Sequence, residues 1–258
     1  MLRLFTGVAL GFAVCVSPAM AGRLIAVDSS RAYFELDMNT GAKTQIGTIS
    51  ANAGTTAGFA YDSATDTLWV TSTSNDALYT VDLVTGNATL VGAYGDTAVV
   101  MHGLEYNNAN GKLYGVSSHN NGLYEISKTT GVATLLGTSG LTSFTNLGYN
   151  RDNDVMYASN SGTDSFYTMN LTNGAVSLIG PLNGPTNPNG LAYDFDNGRM
   201  FLIDNTTDNL YTVNLTTGAA TLVGSTGTGN LLGLAYIPEP SSLALLGVAA
   251  ASLLRRRT

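Results

Sequence analysis

Charge is scarce in this sequence. Lys and Arg number 11 and Asp and Glu 18 among 258 residues, only 11% charged, and the balance is −7. A chain so poor in basic residues has no electrostatic footprint for nucleic acid or anionic lipid. There is one tryptophan, there are six prolines, and the single cysteine is Cys15. One thiol cannot form an internal disulfide, and with two histidines, His102 and His119, there is no Cys/His spacing for a zinc site. A serine-hydrolase elbow and a phosphate-binding glycine loop ahead of a helix are both missing. What is abundant is glycine, with 30 residues, and Thr, Asn and Ser crowd the stretches between apolar segments that bring hydrophobic content to 44%. That mixture favours many short strands joined by tight turns around a sizeable core.

The first 21 residues read "MLRLFTGVALGFAVCVSPAMA". Arg3 gives a basic start, Leu4 to Val16 is apolar over 13 residues, and Ala19 and Ala21 put small side chains at both positions a signal peptidase reads. The run is short of the ~20 residues a spanning helix needs. Residues 1–21 are therefore expected to be a cleaved signal peptide that takes Cys15 with it, leaving a mature chain without cysteine. Residues 22–237 then carry 7 basic and 17 acidic groups, a balance of −10.

Between the ends runs a repeat. "NTGAKTQIG", "VTGNATLVG", "TTGVATLLG", "TNGAVSLIG" and "TTGAATLVG" superimpose, with their first glycines at Gly41, Gly86, Gly131, Gly174 and Gly218. The intervals are 45, 45, 43 and 44 residues, a period typical of propeller blades. A second anchor keeps the same phase: "GFAYD" from Gly58, "GLEYN" from Gly103, "NLGYN" from Asn146, "GLAYD" from Gly190 and "GLAYI" from Gly233. One unit reads as four strands, "GLAYD", "RMFLID" from Arg199, "NLYTVN" from Asn209 and "AATLVG" from Ala219, with turns at Asn197-Gly198 and Thr217-Gly218. Such a meander has two apolar faces and must stack on copies of itself. "RLIAVD" at Arg23 matches a second strand with no first strand before it, and "GLAYI" matches a first strand with no unit after it. The expectation is an all-β, five-bladed β-propeller of four-stranded antiparallel blades over residues 22–237. Its first blade is closed by the C-terminal strand, and two short hydrophobic targeting helices flank the body.

The repeat is its own control for locating function. Where other first strands carry Ala60, Gly148, Ala192 or Ala235, the third carries Glu105, and His102 stands where others have Ala57, Thr145, Asn189 or Leu232. First strands line the axis, so two readings stand: a ligand-binding or acid/base pair in the channel, or a solvated polar pair. The loops between second and third strands hold Asp76, His119 with Asn120, Asp164 and Asp208. These groups suit carbohydrate hydroxyls or weak Ca²⁺ coordination, and they are equally the residues tight turns prefer. "DFDNG" at Asp194 reads as a hairpin turn. No other cofactor is expected.

The sequence finishes with "IPEPSSLALLGVAAASLLRRRT". Ser241 to Leu254 is a 14-residue apolar run, about 21 Å as a helix against a ~30 Å hydrocarbon core, so at most a marginal span. Arg255, Arg256 and Arg257 favour leaving that end in the cytoplasm. The order Pro238-Glu239-Pro240, apolar run, arginine cluster resembles the PEP-CTERM sorting signal of Gram-negative, exopolysaccharide-producing bacteria, also known as the ice-binding protein C-terminal domain. Residues 238–258 carry the whole likeness. The resemblance implies export, transient anchoring in the inner membrane, processing by a membrane-embedded exosortase near Pro238-Glu239-Pro240, and release or attachment at the cell surface. On that basis the expected role is a non-catalytic binding or structural protein of the surface or exopolysaccharide matrix, with polysaccharide or surface proteins as partners. A carbohydrate-active or lactonase-like enzyme with an axial site is the alternative, and a protein-interaction scaffold a third.

Overall fold

The structure, a computed structural model, describes residues 22–96 and 99–238. The segments expected to form the two targeting helices, the expected cleavage alanines Ala19 and Ala21, and Glu239, Pro240, Arg255, Arg256 and Arg257 lie outside the described residues. Within them the strands run β1 (Arg23–Asp28), β2 (Ala32–Leu36) and β3 (Lys43–Thr48); β4 (Thr56–Asp62), β5 (Thr67–Ser72), β6 (Ala77–Val81) and β7 (Ala88–Ala93); and β8 (Met101–Asn107), β9 (Lys112–Ser117), β10 (Gly122–Ile126) and β11 (Ala133–Thr138). They continue with β12 (Gly148–Asn150), β13 (Val155–Asn160), β14 (Ser165–Met169) and β15 (Val176–Pro181); β16 (Pro188–Asp194), β17 (Arg199–Asp204), β18 (Asn209–Val213) and β19 (Ala220–Ser225); and β20 (Leu231–Ile237). Among the described residues the one helix is the 3₁₀ turn Ala51–Ala53, and no helix is long and apolar enough to cross a membrane.

These strands form five four-stranded antiparallel sheets, four of them sequential meanders. The fifth has the order β20-β1-β2-β3, with Arg23 opposite Ile237 and Ile25 opposite Ala235. The C-terminal strand thus supplies the first strand of blade 1 and closes the ring. Leu231, Leu234 and Tyr236 of that strand are at most 6% exposed. At roughly 1.5–3 kcal/mol per buried large side chain they contribute about 5–9 kcal/mol, comparable with a whole domain's net stability. Closure is therefore a condition of folding.

The core is five inter-blade layers. One joins Ile25 and Val27 to Phe59 and Val70, and corresponding layers follow around the ring. The last brings Leu24 and Leu36 of blade 1 against Phe201 and Leu210 of blade 5. Each third-to-fourth strand pairing slips by one residue at the same place, as at Leu78/Tyr79 and Leu210/Tyr211. The bulge twists the outer strand and blunts the blade's open edge.

The repeat signature acquires its physical meaning at the periphery. At four of the five blade boundaries the last glycine of one signature packs against the first glycine of the next: a Cβ on Gly92 would strike the Thr130 carbonyl, and one on Gly131 would lie 2.5 Å from the carbonyl carbon of Gly92. The same approach recurs between Gly137 and Gly174, Gly180 and Gly218, and Gly224 and Gly41, the last spanning the closure of blade 5 on blade 1. The five first glycines also adopt positive φ, 73° to 78°. Ahead of each, an Asp, Ser or Asn caps the turn: Asp82 accepts from the amides of Val84 and Thr85, Asn214 from those of Thr216 and Thr217. In Asp37 and Asp82 those amide bonds hold the carboxyl below its usual range.

Candidate functional site at the ends of the axial channel

First strands line the axis, and the two unusual side chains of blade 3 leave it at opposite ends. Glu105 borders a small open-mouthed depression with Tyr106, Tyr149, Arg151 and Phe195. His102 borders a smaller one with Thr145, Asn189 and Leu232. The two do not meet. His102 Nδ1 lies 2.7 Å from Ser118 Oγ, and burial lowers its pKa, so the ring is neutral at pH 7.

Glu105 has a different set of partners. Its Oε1 accepts from the amide of Tyr106 at 2.8 Å, and its Oε2 from the amide of Tyr149, on the first strand of the next blade, at 3.1 Å. Gly148 occupies the position equivalent to Glu105 in that blade, so nothing stands between the carboxyl and the amide. Burial pushes the carboxyl up to about 8 against the opposing pull of both amides. At neutral pH it is largely protonated and can donate one hydrogen bond. Blade 4 also departs from the repeat at Asn146, which stands where other blades have glycine. Its buried amide exchanges hydrogen bonds with Ser159 and reaches the Pro188 carbonyl. The read strand "NLGYN" is shortened in consequence to β12, Gly148–Asn150.

Around the wider mouth stand the first-strand tyrosines Tyr61, Tyr106, Tyr149, Tyr193 and Tyr236. Tyr61 donates to Asp66 at 2.6 Å, Tyr149 to Asp154 at 2.8 Å, Tyr193 to Asp152 at 2.7 Å and Tyr236 to Asp196 at 2.5 Å. Burial first, and these carboxylates second, raise all four phenols, Tyr193 to about 12. Tyr106 instead lies under Lys128, whose ammonium is 4.7 Å from the ring centroid. Lys128 also pairs with Asp62 at 2.9 Å; burial works against that buried carboxylate's charge, but the ion pair and turn amides keep its pKa below normal. On the other side Arg151 stacks on Phe195, which meets Tyr236 edge-on at 5.2 Å. A guanidinium, aromatic faces and a neutral acid at depth make a mouth suited to a small hydroxyl- or carbonyl-bearing group. Sequence reasoning found Glu105 through its departure from the repeat. Arg151 and Phe195 lie in a turn that the repeat leaves variable, and carried no such mark.

The rim residues have structural duties. Asp76, Asp164 and Asp208 take positive φ of 45°, 48° and 51°, and Asn121 and Arg31 stand at the equivalent turn position. The carbonyls of Asp76, Asp164 and Asp208 accept the amides of Tyr94, Leu182 and Thr226 beyond the fourth strand. Asn120 bonds Tyr124, and His119 is exposed next to it. Among the described residues no group of three or more His, Cys, Asp or Glu is placed to hold a metal ion. Asp194 of "DFDNG" is buried, accepts from Asn197 and pairs with Arg199 at 3.0 Å, as a hairpin turn requires.

The class these observations define is a five-bladed propeller closed by its last strand, and comparison with known proteins agrees. The chain superimposes on a chain of a nidogen/laminin complex with a TM-score of 0.59 at 15% identity, covering 83% of this chain and 84% of that one. A protein of unknown function from Bacteroides thetaiotaomicron gives 0.59 at 15% identity, over 87% and 66%. Virginiamycin B lyase from Staphylococcus aureus gives 0.52 at 12%, over 83% and 73%. Identities this low establish the fold and nothing about activity. No curated protein matches the sequence. The more particular statement comes from the tail: residues 237–257 match the PEP-CTERM protein-sorting motif. The chain is a propeller body carrying that motif, which implies export and processing by an exosortase.

Proposed function

We propose that this is an exosortase-sorted component of the cell surface or exopolysaccharide matrix whose propeller acts as a non-catalytic binding or structural module. The observation that carries this reading is the position of the sorting motif. It begins at Ile237, the last residue of the closing strand, so the entire folded body is the delivered cargo. A signal peptide over residues 1–21 supplies the export step. The polar turns and the axial mouth are the surfaces available to polysaccharide, and any part that Ca²⁺ plays at the Asp/Asn rim is a weak one, since no three carboxylates or histidines converge among the described residues. The test is a binding screen of the exported protein against native exopolysaccharide and a glycan panel, with Ca²⁺ and with chelator. Specific glycan binding is expected; its absence under both conditions overturns the matrix-binding role in favour of a protein scaffold.

One arrangement favours a second reading, an axial-channel enzyme: the Glu105 carboxyl borders the axial mouth, where burial lifts its pKa to about 8, the range a general acid needs. The expected result is no turnover of polysaccharide. Turnover that disappears in Glu105→Gln would replace the binding role with a catalytic one.

A further inference from the structure

In blades 2 to 5 the first and second strands are joined by a hairpin, such as residues 63–66 between β4 and β5. In blade 1 that hairpin is missing, because the equivalent strands β20 and β1 come from opposite ends of the chain and pair with Ile237 opposite Arg23. Both ends of the body therefore emerge side by side at one end of the propeller. It is the end with the wider axial mouth. Pro238 occupies the repeat position of Ser63, Asn108, Arg151 and Phe195, all of which line that mouth. Pro238 is itself half-buried, and no spacer separates it from β20.

This creates a problem of access for any enzyme that reads Pro238-Glu239-Pro240. Chain on the body side of Glu239 can be freed for it only by peeling β20 from the ring, which exposes Leu234 and Tyr236 and dismantles two of the inter-blade layers. Otherwise the enzyme must approach the closed ring so nearly that it touches the body around the mouth. The second route leaves the core intact. The surface it meets is anionic on balance: Asp66, Asp152, Asp154 and Asp196 are all exposed there, each accepting from a tyrosine hydroxyl, against the exposed Arg151 and a Lys128 that is paired with Asp62. An anionic bilayer would repel such a surface. A protein with basic loops would be drawn to it.

Resting on the sorting reading above, we propose that the chain-end face of the closed propeller is a docking surface for the membrane-embedded processing enzyme, which meets it with a positively charged rim while gripping the motif. The face is part of the sorting signal, and the opposite rim with Asp76, Asp164 and Asp208 points away from the enzyme.

The test follows tail removal from the full-length chain by pulse–chase in a host that carries the exosortase, with protease resistance of the exported body reporting folding. One variant converts Asp66, Asp152, Asp154 and Asp196 to Asn, keeping each acceptor oxygen for its tyrosine. A matched variant makes the same change at Asp76, Asp164 and Asp208. Both are repeated with a ten-residue Gly/Ser spacer inserted between Ile237 and Pro238. The mouth variant is expected to lose its tail about fivefold more slowly, as a change in rim charge does to association, and the matched variant at the normal rate. The spacer should erase the difference. If the mouth variant misfolds, the single changes Asp66→Asn and Asp196→Asn should each slow removal by a smaller factor. Equal rates for all variants, or equal slowing by both neutralised faces, would overturn the proposal. Faster removal from the mouth variant would overturn it too, indicating that the face meets lipid. A wild-type chain that keeps its tail would instead defeat the sorting reading and leave docking without a basis.

Discussion

The periphery and the axis of this propeller follow different rules. At the periphery five signatures repeat with little variation, and the fixed features have packing duties: the glycine pairs let neighbouring blades touch backbone to backbone, and the capping residue ahead of each turn takes up one or two of its amides. At the axis the repeat is broken in blades 3 and 4, where Glu105, Gly148 and Asn146 replace the small residues of the other blades. The changes compensate one another, since the long acid reaches across the place where its neighbour has no side chain. A repeat protein thus separates two kinds of information. What recurs encodes the ring, and what departs from it encodes whatever distinguishes this ring from another.

That separation can be attacked most strongly at the periphery. Gly92→Val drives a branched side chain into the Thr130 carbonyl of the next blade, and the backbones have no room to part. The expected loss is about 3 kcal/mol or more, a fall in Tm of roughly 6–12 °C for a body of this size, read from thermal melting of the exported protein. A loss under about 1 kcal/mol would mean that the glycine contacts are incidental and the comparison empty.

The axis should respond less, and in a pH-dependent way. Glu105→Ala removes the acceptor of the Tyr149 amide across the boundary between blades 3 and 4, for an expected cost of about 1–3 kcal/mol. Because burial lifts this carboxyl from 4.5 to about 8 in the folded state, the native protein binds more protons than the unfolded chain between those values. Its contribution is therefore complete below about pH 4.5 and lost as pH rises through about 8. Glu105→Gln should match the wild type near pH 4, draw ahead of it as pH rises between about 4.5 and 8, and exceed it at pH 9 by about 2 kcal/mol, short of the full linkage because the mouth admits water. Denaturant titrations at pH 4 and pH 9 check the divergence. Parallel curves would show that the acid titrates as an ordinary surface group.

How much of this was legible in the sequence follows the same divide. Blade number, closure by the last strand and strands such as Arg23–Asp28 and Arg199–Asp204 were readable, because period, alternation and turn glycine are local signals that five copies reinforce. The contact of Gly92 with Gly131 was not, since nothing local says that one signature's last glycine meets the next one's first. Asn146 was read as an ordinary strand start, but its amide binds Ser159 thirteen residues away and the strand begins only at Gly148. At the axis, Glu105 and His102 announced themselves as departures. Their separation to opposite ends of the channel depends on three residues of strand rise, which side-chain identity does not report.

The smallest expected effect sits on the rim, and it decides whether the rim belongs with the periphery or with the axis. Asp76, Asp164 and Asp208 occupy left-handed backbone positions, where Asn is tolerated as well as Asp and a residue such as Ala is disfavoured by about 1–2 kcal/mol. If the turn is their whole duty, Asp164→Asn should leave stability within about 0.5 kcal/mol, Asp164→Ala should cost about 1 kcal/mol, and millimolar Ca²⁺ should move neither melting curve. The three aspartates would then be repeat-encoded packing, with the same standing as the signature glycines. A wild-type Tm raised by Ca²⁺, with the rise lost in Asp164→Asn, would show the carboxylate working beyond its turn. The rim would then join Glu105 among the features that the ring does not need for itself.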